Sequence, residues 1–276
     1  MLNIDRITKI LFFLASSVLV IRILFIYNTI LVDDEAYYAI YARHLSWGYI
    51  DHGPVVAFLI WIFTCIFENS FTVRIGAVLL MSLLPFILYF FINRYFNNKS
   101  ALILSILVTV NLMLHMNAII ITPDVPLAFF SILAILFYYI AYFEDQKYFY
   151  IGGAMLGIAA LSKVSALFPA IGIALLPFIN KEKRHFLSNK HFYGSFILAF
   201  IFVIPFIKWN LDNDLAFIRY QGGHISRSGN LSDFLGLWTG LFILIGPLYF
   251  YYSFVKPLLN IFAWNNISTK MKYFTS

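Results

Sequence analysis

Long stretches almost free of charge recur along this chain, with short polar breaks between them. A bilayer hydrocarbon core needs about 20 apolar residues of helix to cross it. Eight such spans are expected, at about Thr8–Val32, Val73–Arg94, Ala101–Ile119, Val125–Phe143, Tyr148–Leu161, Val164–Ile179, Phe192–Lys208 and Phe234–Val255. The expected fold class is therefore all-α, a polytopic transmembrane helical bundle. Amphipathic helices are expected in its first outer loop, over Glu35–Leu45 and Val55–Phe67. Only 12% of the residues are charged and 62% are hydrophobic, against about 25% charged in a soluble domain. No soluble domain is expected. Residues 1–256 read as one transmembrane module and 257–276 as a C-terminal tail without a further full span.

The net charge of +6 does not point to nucleic acid, because most of the Lys and Arg residues sit in short loops between apolar runs. There they set topology. With the N-terminus inside, the inner loops carry Arg6 and Lys9, then Arg94 and Lys99, Lys147, the Lys181–Arg184 cluster with Lys190, and Lys256. The opposite side holds only Arg43, Arg74, Arg219 and Arg227. The expectation is a multi-pass protein of the inner (plasma) membrane with a cytoplasmic N-terminus. Its first apolar run is too long for a cleaved signal and reads as an anchor. The single cysteine, Cys65, permits no intrachain disulfide.

The acids fall on the outer side. Asp33, Asp34, Glu35, Asp51, Glu68, Asp124, Asp212, Asp214 and Asp233 all land there or at its edge, which the positive-inside rule does not require. Long outer loops need soluble residues, and that accounts for some of them. Asp33-Asp34-Glu35, followed by Ala36-Tyr37-Tyr38, stand directly where the first span ends. Asp33 or Asp34 can cap the next helix, but one cap needs one Asp, and a carboxylate at a low-dielectric boundary suits general-base work. Trp47-Gly48-Tyr49-Ile50-Asp51-His52-Gly53-Pro54 reads as a tight turn. Asp51 and His52 are either turn residues or contacts for substrate or metal. Asp124, in Thr122-Pro123-Asp124-Val125-Pro126, suits the positive end of a helix, yet an ionised side chain in so apolar a setting is costly and usually functional.

Lys163, which separates two short spans, either snorkels to the interface or holds a phosphate and stabilises a leaving group. Arg22, inside the first span, is expected to pair with an acid or polar group within the bundle. Trp209-Asn210 with Phe217, Arg219, Tyr220, Gln221 and His224 mixes cation, amide and ring groups that suit a sugar and equally suit a solvated loop. No His/Cys metal spacing stands out. A pair of outer acids can hold Mg²⁺ or Mn²⁺, and a divalent cation is left open.

Taken in order, these segments resemble the bacterial branch of the dolichyl-phosphate-mannose protein mannosyltransferase superfamily, which includes the aminoarabinose transferases that modify lipid A. Asp34-Glu35-Ala36-Tyr37-Tyr38 is similar to the first-loop acidic motif. Gly48 through Pro54 is similar to the turn, with Gly53 where many members have Pro. Thr122 through Leu127 resembles the second-loop motif. Gly157 through Lys163 resembles the Gly-rich helix ending in Ser-Lys. Trp209-Asn210 with Phe217, Arg219, Gln221 and His224 resembles the later outer loop. The resemblance spans roughly residues 8–255.

It implies a GT-C-like membrane module that moves a sugar, with inversion, from a polyprenyl-phosphate donor on the periplasmic or outer face. The acceptor is left open among lipid, protein and glycan. Asp34 is then the general base, with Glu35 in the same motif. Asp124 is a second acidic site that places substrate or assists catalysis. Tyr37, Asp51, His52, Lys163, Arg219, Gln221 and His224 are candidates for substrate contact, with Lys163 and the basic residues of the last loop facing the donor phosphate. Family members are usually longer, so the chain is expected to be a shortened module. Two other readings stand beside this one. A lipid-linked-sugar transporter or flippase calls for polar groups near the midplane and repeated halves, and neither is visible. A truncated relative that binds without turnover is the other.

Overall fold

The computed structural model describes residues 4–225 and 230–262, and the regular structure among them is helical. The chain begins with α1, Ile4–Tyr27. It stops short of the expected Val32: the Asn28 and Thr29 side chains donate to the Leu24 (2.7 Å) and Phe25 (2.9 Å) carbonyls, and the Arg74 guanidinium holds the Thr29 (3.1 Å) and Ile30 (2.6 Å) carbonyls beyond them. The segment between the first two long helices holds α2, Asp33–Arg43, and α3, Val55–Thr64. Then comes α4, Ser70–Tyr95, started by an Asn69 side chain that accepts from the Thr72 amide at 2.9 Å. Next are α5, Asn98–Val110, and α6, Leu112–Ile119, bent 57° from one another.

Two helices, α7 (Asp124–Phe143) and α8 (Tyr148–Ser162), form a hairpin. A 3₁₀ turn leads into α9, Leu167–Ile179, and a 3₁₀ segment, Lys181–Ser188, follows it. The series continues with α10, Lys190–Asp212, and α11, Ala216–Ile225. It closes with α12 (Leu231–Ile245), α13 (Pro247–Phe250) and α14 (Lys256–Phe262).

Among the described residues four helices are long and apolar enough to cross a membrane, or up to seven spans if each bent pair counts as one. Beyond the early end of α1, the break between α5 and α6 and the 3₁₀ start of the span over Val164–Ile179, two of the expected spans differ most in the structure. The first, α8, has 15 residues, about 22 Å of helix, short of a hydrocarbon core. It nevertheless runs back along α7 until Lys163 meets Asp124 at 2.9 Å. The second, expected over Phe234–Val255, breaks at Gly246-Pro247 and bends by 117°. Gly246 adopts φ +84°, which glycine takes without strain, and Pro247 starts the next helix.

The chain divides into two units, Met1–Thr109 with Leu114–Ser226, and Val110–Met113 with Arg227–Ser276. In the first, one core gathers Tyr38, Val56, Ile60, Ala77, Met81, Ile121, Val125 and Phe129 from α2, α3, α4 and α7. A second core gathers Tyr138, Tyr142, Phe149, Leu156 and Phe192 from α7, α8 and α10. Helices in lipid gain little from hydrophobicity and associate through close packing of small residues. Gly153 shows this, since a Cβ there would overlap the Ser195 carbonyl of α10. Tyr138 donates to Ser195 Oγ at 2.8 Å across the same contact. Arg22 is buried in α1 and donates to Ser82 Oγ (2.9 Å), with His115 Nδ1 3.2 Å away, so its partners are polar groups of the bundle. In the second unit Asn230 and Asp233 cap α12 reciprocally, at 2.9 and 3.1 Å.

Candidate active site

The acidic triplet opens α2, but its three members do different things. Val32, the residue before the helix, has no capping side chain. The cap comes from Glu35, whose Oε2 accepts from the Val32 amide at 3.0 Å. Neither Asp33 nor Asp34 is therefore needed as the cap. Glu35 is 0% exposed and Arg74 2%. The two form a close ion pair, with Arg74 Nε 2.8 and 2.9 Å from the two carboxylate oxygens. Glu35 also accepts from the Ile121 amide at 3.0 Å, and Arg74 donates to Thr29 Oγ1 at 2.8 Å. A charge taken out of water stays ionised only when paired and hydrogen-bonded. This pair is fully engaged, and it ties the end of α1, α2, α4 and the segment before α7 together. The expected catalytic candidate Glu35 is thus enclosed in scaffold.

Asp33 and Asp34 are exposed at the positive end of the α2 dipole. One turn on from Asp34 lies Tyr38, and Tyr37 and Tyr41 follow at the same i, i+4 spacing. The Tyr37 and Tyr41 hydroxyls are hydrogen-bonded. Tyr41 donates on to Asp51 Oδ1 at 2.8 Å, and its ring stacks on Tyr49 at 3.8 Å and 8°. The Tyr49 hydroxyl donates to the carbonyls of Tyr41 (2.9 Å) and His44 (3.1 Å) and accepts from the Ser46 amide (3.1 Å). These bonds fix the turn that carries Asp51 and His52. His52 Nε2 lies 3.8 Å from Asp51 Oδ2.

The turn is pressed onto the end of α8. A Cβ at Gly53 would overlap the Leu161 carbonyl oxygen, which brings His52 beside the residue that follows α8, Lys163. Lys163 Nζ donates to both oxygens of Asp124 at 2.9 Å. The pair is partly open, with side chains 29% and 42% exposed. It joins the start of α7 to the end of α8, so Lys163 neither snorkels away nor stands alone. A left-handed turn at Asp214 and Leu215 (φ 55° and 58°) follows α10, and Gln221 of α11 donates to the Asp51 carbonyl at 2.9 Å.

Electrostatics show the same convergence. The Tyr38 phenol is pushed well above its ordinary value by burial, then by Asp51, Asp34, Tyr37 and Asp124. Burial also raises Tyr41, reinforced by its bonds to Tyr37 and Asp51. His52 is lowered, chiefly by burial and further by Lys163, with Asp51 and Asp124 opposing. Its imidazole is accordingly neutral at pH 7.

Asp34, Tyr37, Asp51, His52, Asp124, Lys163 and Gln221 thus meet at one end of α2, α7, α8 and α11. Arg219 is exposed on α11, and the His224 side chain lies outside the described residues. Two of the other acids expected on that side serve structure, Glu68 pairing with Arg43 at 2.6 Å and Asp233 capping α12. Among the described residues no three His, Cys, Asp or Glu side chains are grouped to hold a metal ion. Sequence reasoning missed Tyr38, Tyr41 and Tyr49 as site groups and Arg74 as the partner of Glu35. The i, i+4 tyrosines of α2 and a lone Arg one turn into an apolar helix were the available signals.

Beside this cluster a cavity of about 340 Å³ opens between α8, α9 and α10. Gly53, Val164 and Phe217 line it at the cluster end, with Leu156, Phe196 and Ala199 elsewhere along its apolar walls.

A family profile described as dolichyl-phosphate-mannose-protein mannosyltransferase matches residues 51–209. The match begins at Asp51, includes Asp124 and Lys163, and ends at Trp209. No curated protein and no solved structure matches the chain.

Proposed function

The chain belongs to the dolichyl-phosphate-mannose-protein mannosyltransferase family, and we propose from that premise that it moves a sugar from a polyprenyl-phosphate donor to an acceptor at the outer face of the membrane, inverting the anomeric carbon. The family makes it a membrane glycosyltransferase and implies a lipid-linked donor. The observation that supports the finer reading is the meeting of an open carboxylate, a Lys–Asp pair and a neutral imidazole beside an apolar cavity. A polyprenyl chain suits the cavity and its phosphate suits the polar end.

In this reading the acceptor oxygen or nitrogen attacks the anomeric carbon as the bond to the phosphate oxygen breaks. The acceptor proton passes to Asp34, and the electron pair leaves on polyprenyl phosphate. Asp33 and Asp34 are both open, and Asp34 is the one whose charge acts on the Tyr38 phenol together with Asp51 and Asp124, which suits it to the base role. Glu35 holds the scaffold. Lys163 has three N–H donors and leaves part of its surface open beside Asp124, so it can meet the developing phosphate charge. Asp124 fixes the ammonium. Tyr41 and Gln221 hold the Asp51–His52 turn, and His52, Tyr37 and Arg219 face the sugar and phosphate.

Membranes containing the full chain, given radiolabelled polyprenyl-phosphate sugars and, separately, the matching nucleotide sugars, test the donor class. Label is expected to reach an acceptor from the lipid donor and not directly from the nucleotide sugar. Failure of every polyprenyl-phosphate sugar, with the folded chain present, overturns the reading.

A further inference from the structure

Between about 17 and 28 Å along α7 from Asp124, at 1.5 Å per residue, a second cavity of about 310 Å³ lies between α7 and α9, from Ile135 to Phe143. Tyr139, Tyr142, Phe143, Gly172, Ile173 and Leu176 help line it. Its polar groups are few, and the Tyr142 hydroxyl is already engaged by the Ile173 carbonyl at 3.0 Å. A Cβ built on Gly172 meets nothing within 4 Å, so the groove is open at that position. At the rim, Lys183 Nζ stands 3.7 Å from the centroid of the Phe143 ring and donates to the Tyr142 carbonyl at 2.8 Å. The 3₁₀ segment that holds Lys183 starts just after α9 and also presents Lys181 and Arg184 to the surroundings, with Glu182 its only acid.

Glu144, which follows Phe143, is paired with Arg94 at 3.3 Å, and Asp145 accepts from the Lys147 amide at 2.9 Å. An apolar slot with Lys183 at its rim, on a segment that also carries Lys181 and Arg184, has the polarity of an anionic phospholipid. We propose that this groove binds an acyl chain of such a lipid while Lys181, Lys183 and Arg184 hold its headgroup phosphate. The site is separate from the acidic cluster and does not depend on the proposed reaction. A basic residue near a membrane surface attracts anionic lipid strongly enough to change binding about fivefold, and Lys183 keeps two N–H groups beyond the one given to Tyr142. Gly172 has no such role and is only the space into which a larger side chain would grow.

The test is native mass spectrometry of the full chain in detergent, titrated with phosphatidylglycerol and with phosphatidylcholine. The native chain is expected to retain phosphatidylglycerol at least fivefold better. Arg184→Gln should weaken phosphatidylglycerol about fivefold and leave phosphatidylcholine unchanged. Gly172→Leu, which favours the helix and fills the groove, should abolish the retention of phosphatidylglycerol. Equal retention of the two lipids by the native chain, or undiminished phosphatidylglycerol on Gly172→Leu, overturns the proposal.

Discussion

Arg74 and Glu35 sit where a lone charge would be intolerable, and each is held by the other and by backbone groups of two neighbouring segments, residues 29–32 and Ile121. Removing one member leaves the other uncompensated, which in buried pairs costs about 3–5 kcal/mol, whereas replacing both with apolar residues is often far milder. Arg74→Leu and Glu35→Leu should each lower the thermal stability of the detergent-solubilised chain by that order, and the double replacement should cost well below the sum. Additive losses would show that the two do not act as a pair. Nothing in Asp33-Asp34-Glu35 as a sequence told the three acids apart. Their roles depend on which side of α2 meets α4, and that contact spans 39 residues of chain. His52 carries a second consequence at this scale. Burial lowers its proton affinity in the folded chain, so below the ordinary histidine value of about 6.5 the unfolded chain binds more protons and stability is lost as the pH is lowered. Above that value the term is constant. Melting curves from pH 5 to 7.5 should therefore slope more steeply below 6.5 for the native chain than for His52→Gln. Identical slopes would contradict the burial of a neutral imidazole.

Among the elements, the α7–α8–α10 packing rests on residues too small to be noticed as a core. Gly153→Leu should separate α8 from α10 and cost about 1–3 kcal/mol, the usual scale of overpacking. Gly240→Leu, in α12 where a Cβ meets nothing within 4 Å, should stay within about 0.5 kcal/mol. Thermal unfolding of both variants checks this, and equal effects would mean that helix propensity rather than contact decides. Most helix positions were legible from apolar run length alone, since lipid leaves a buried backbone few alternatives. Breaks inside the runs were harder to see. Gly246-Pro247 lies in an unbroken apolar stretch, and a hydrophobicity pattern carries no information about direction. The early stop of α1 likewise involves Arg74, a residue from another helix.

For the molecule as a whole, the candidate site residues stand out one by one in the sequence because charge is costly against apolar helices, and the fold brings several of them together. Asp34, Asp51, Asp124 and Lys163 stand within a range of 130 positions, yet Asp51 and Asp124 act on both Tyr38 and His52, joined by Asp34 at Tyr38 and by Lys163 at His52. That meeting, the Asp124–Lys163 bond and the apolar cavity beside it follow from the packing of α8 and were not readable from residue spacing. In the proposed function these neighbours receive the phosphate and the sugar, and Asp34 is the base. The most direct test is the sugar-transfer rate of Asp34→Asn against Asp33→Asn in membranes containing matched amounts of folded chain. Loss of a general base costs about 10²–10⁴-fold, so Asp34→Asn should fall at least a hundredfold while Asp33→Asn stays within a few-fold of native. An Asp34→Asn rate close to native, or an equal loss in Asp33→Asn, would contradict Asp34 as the base.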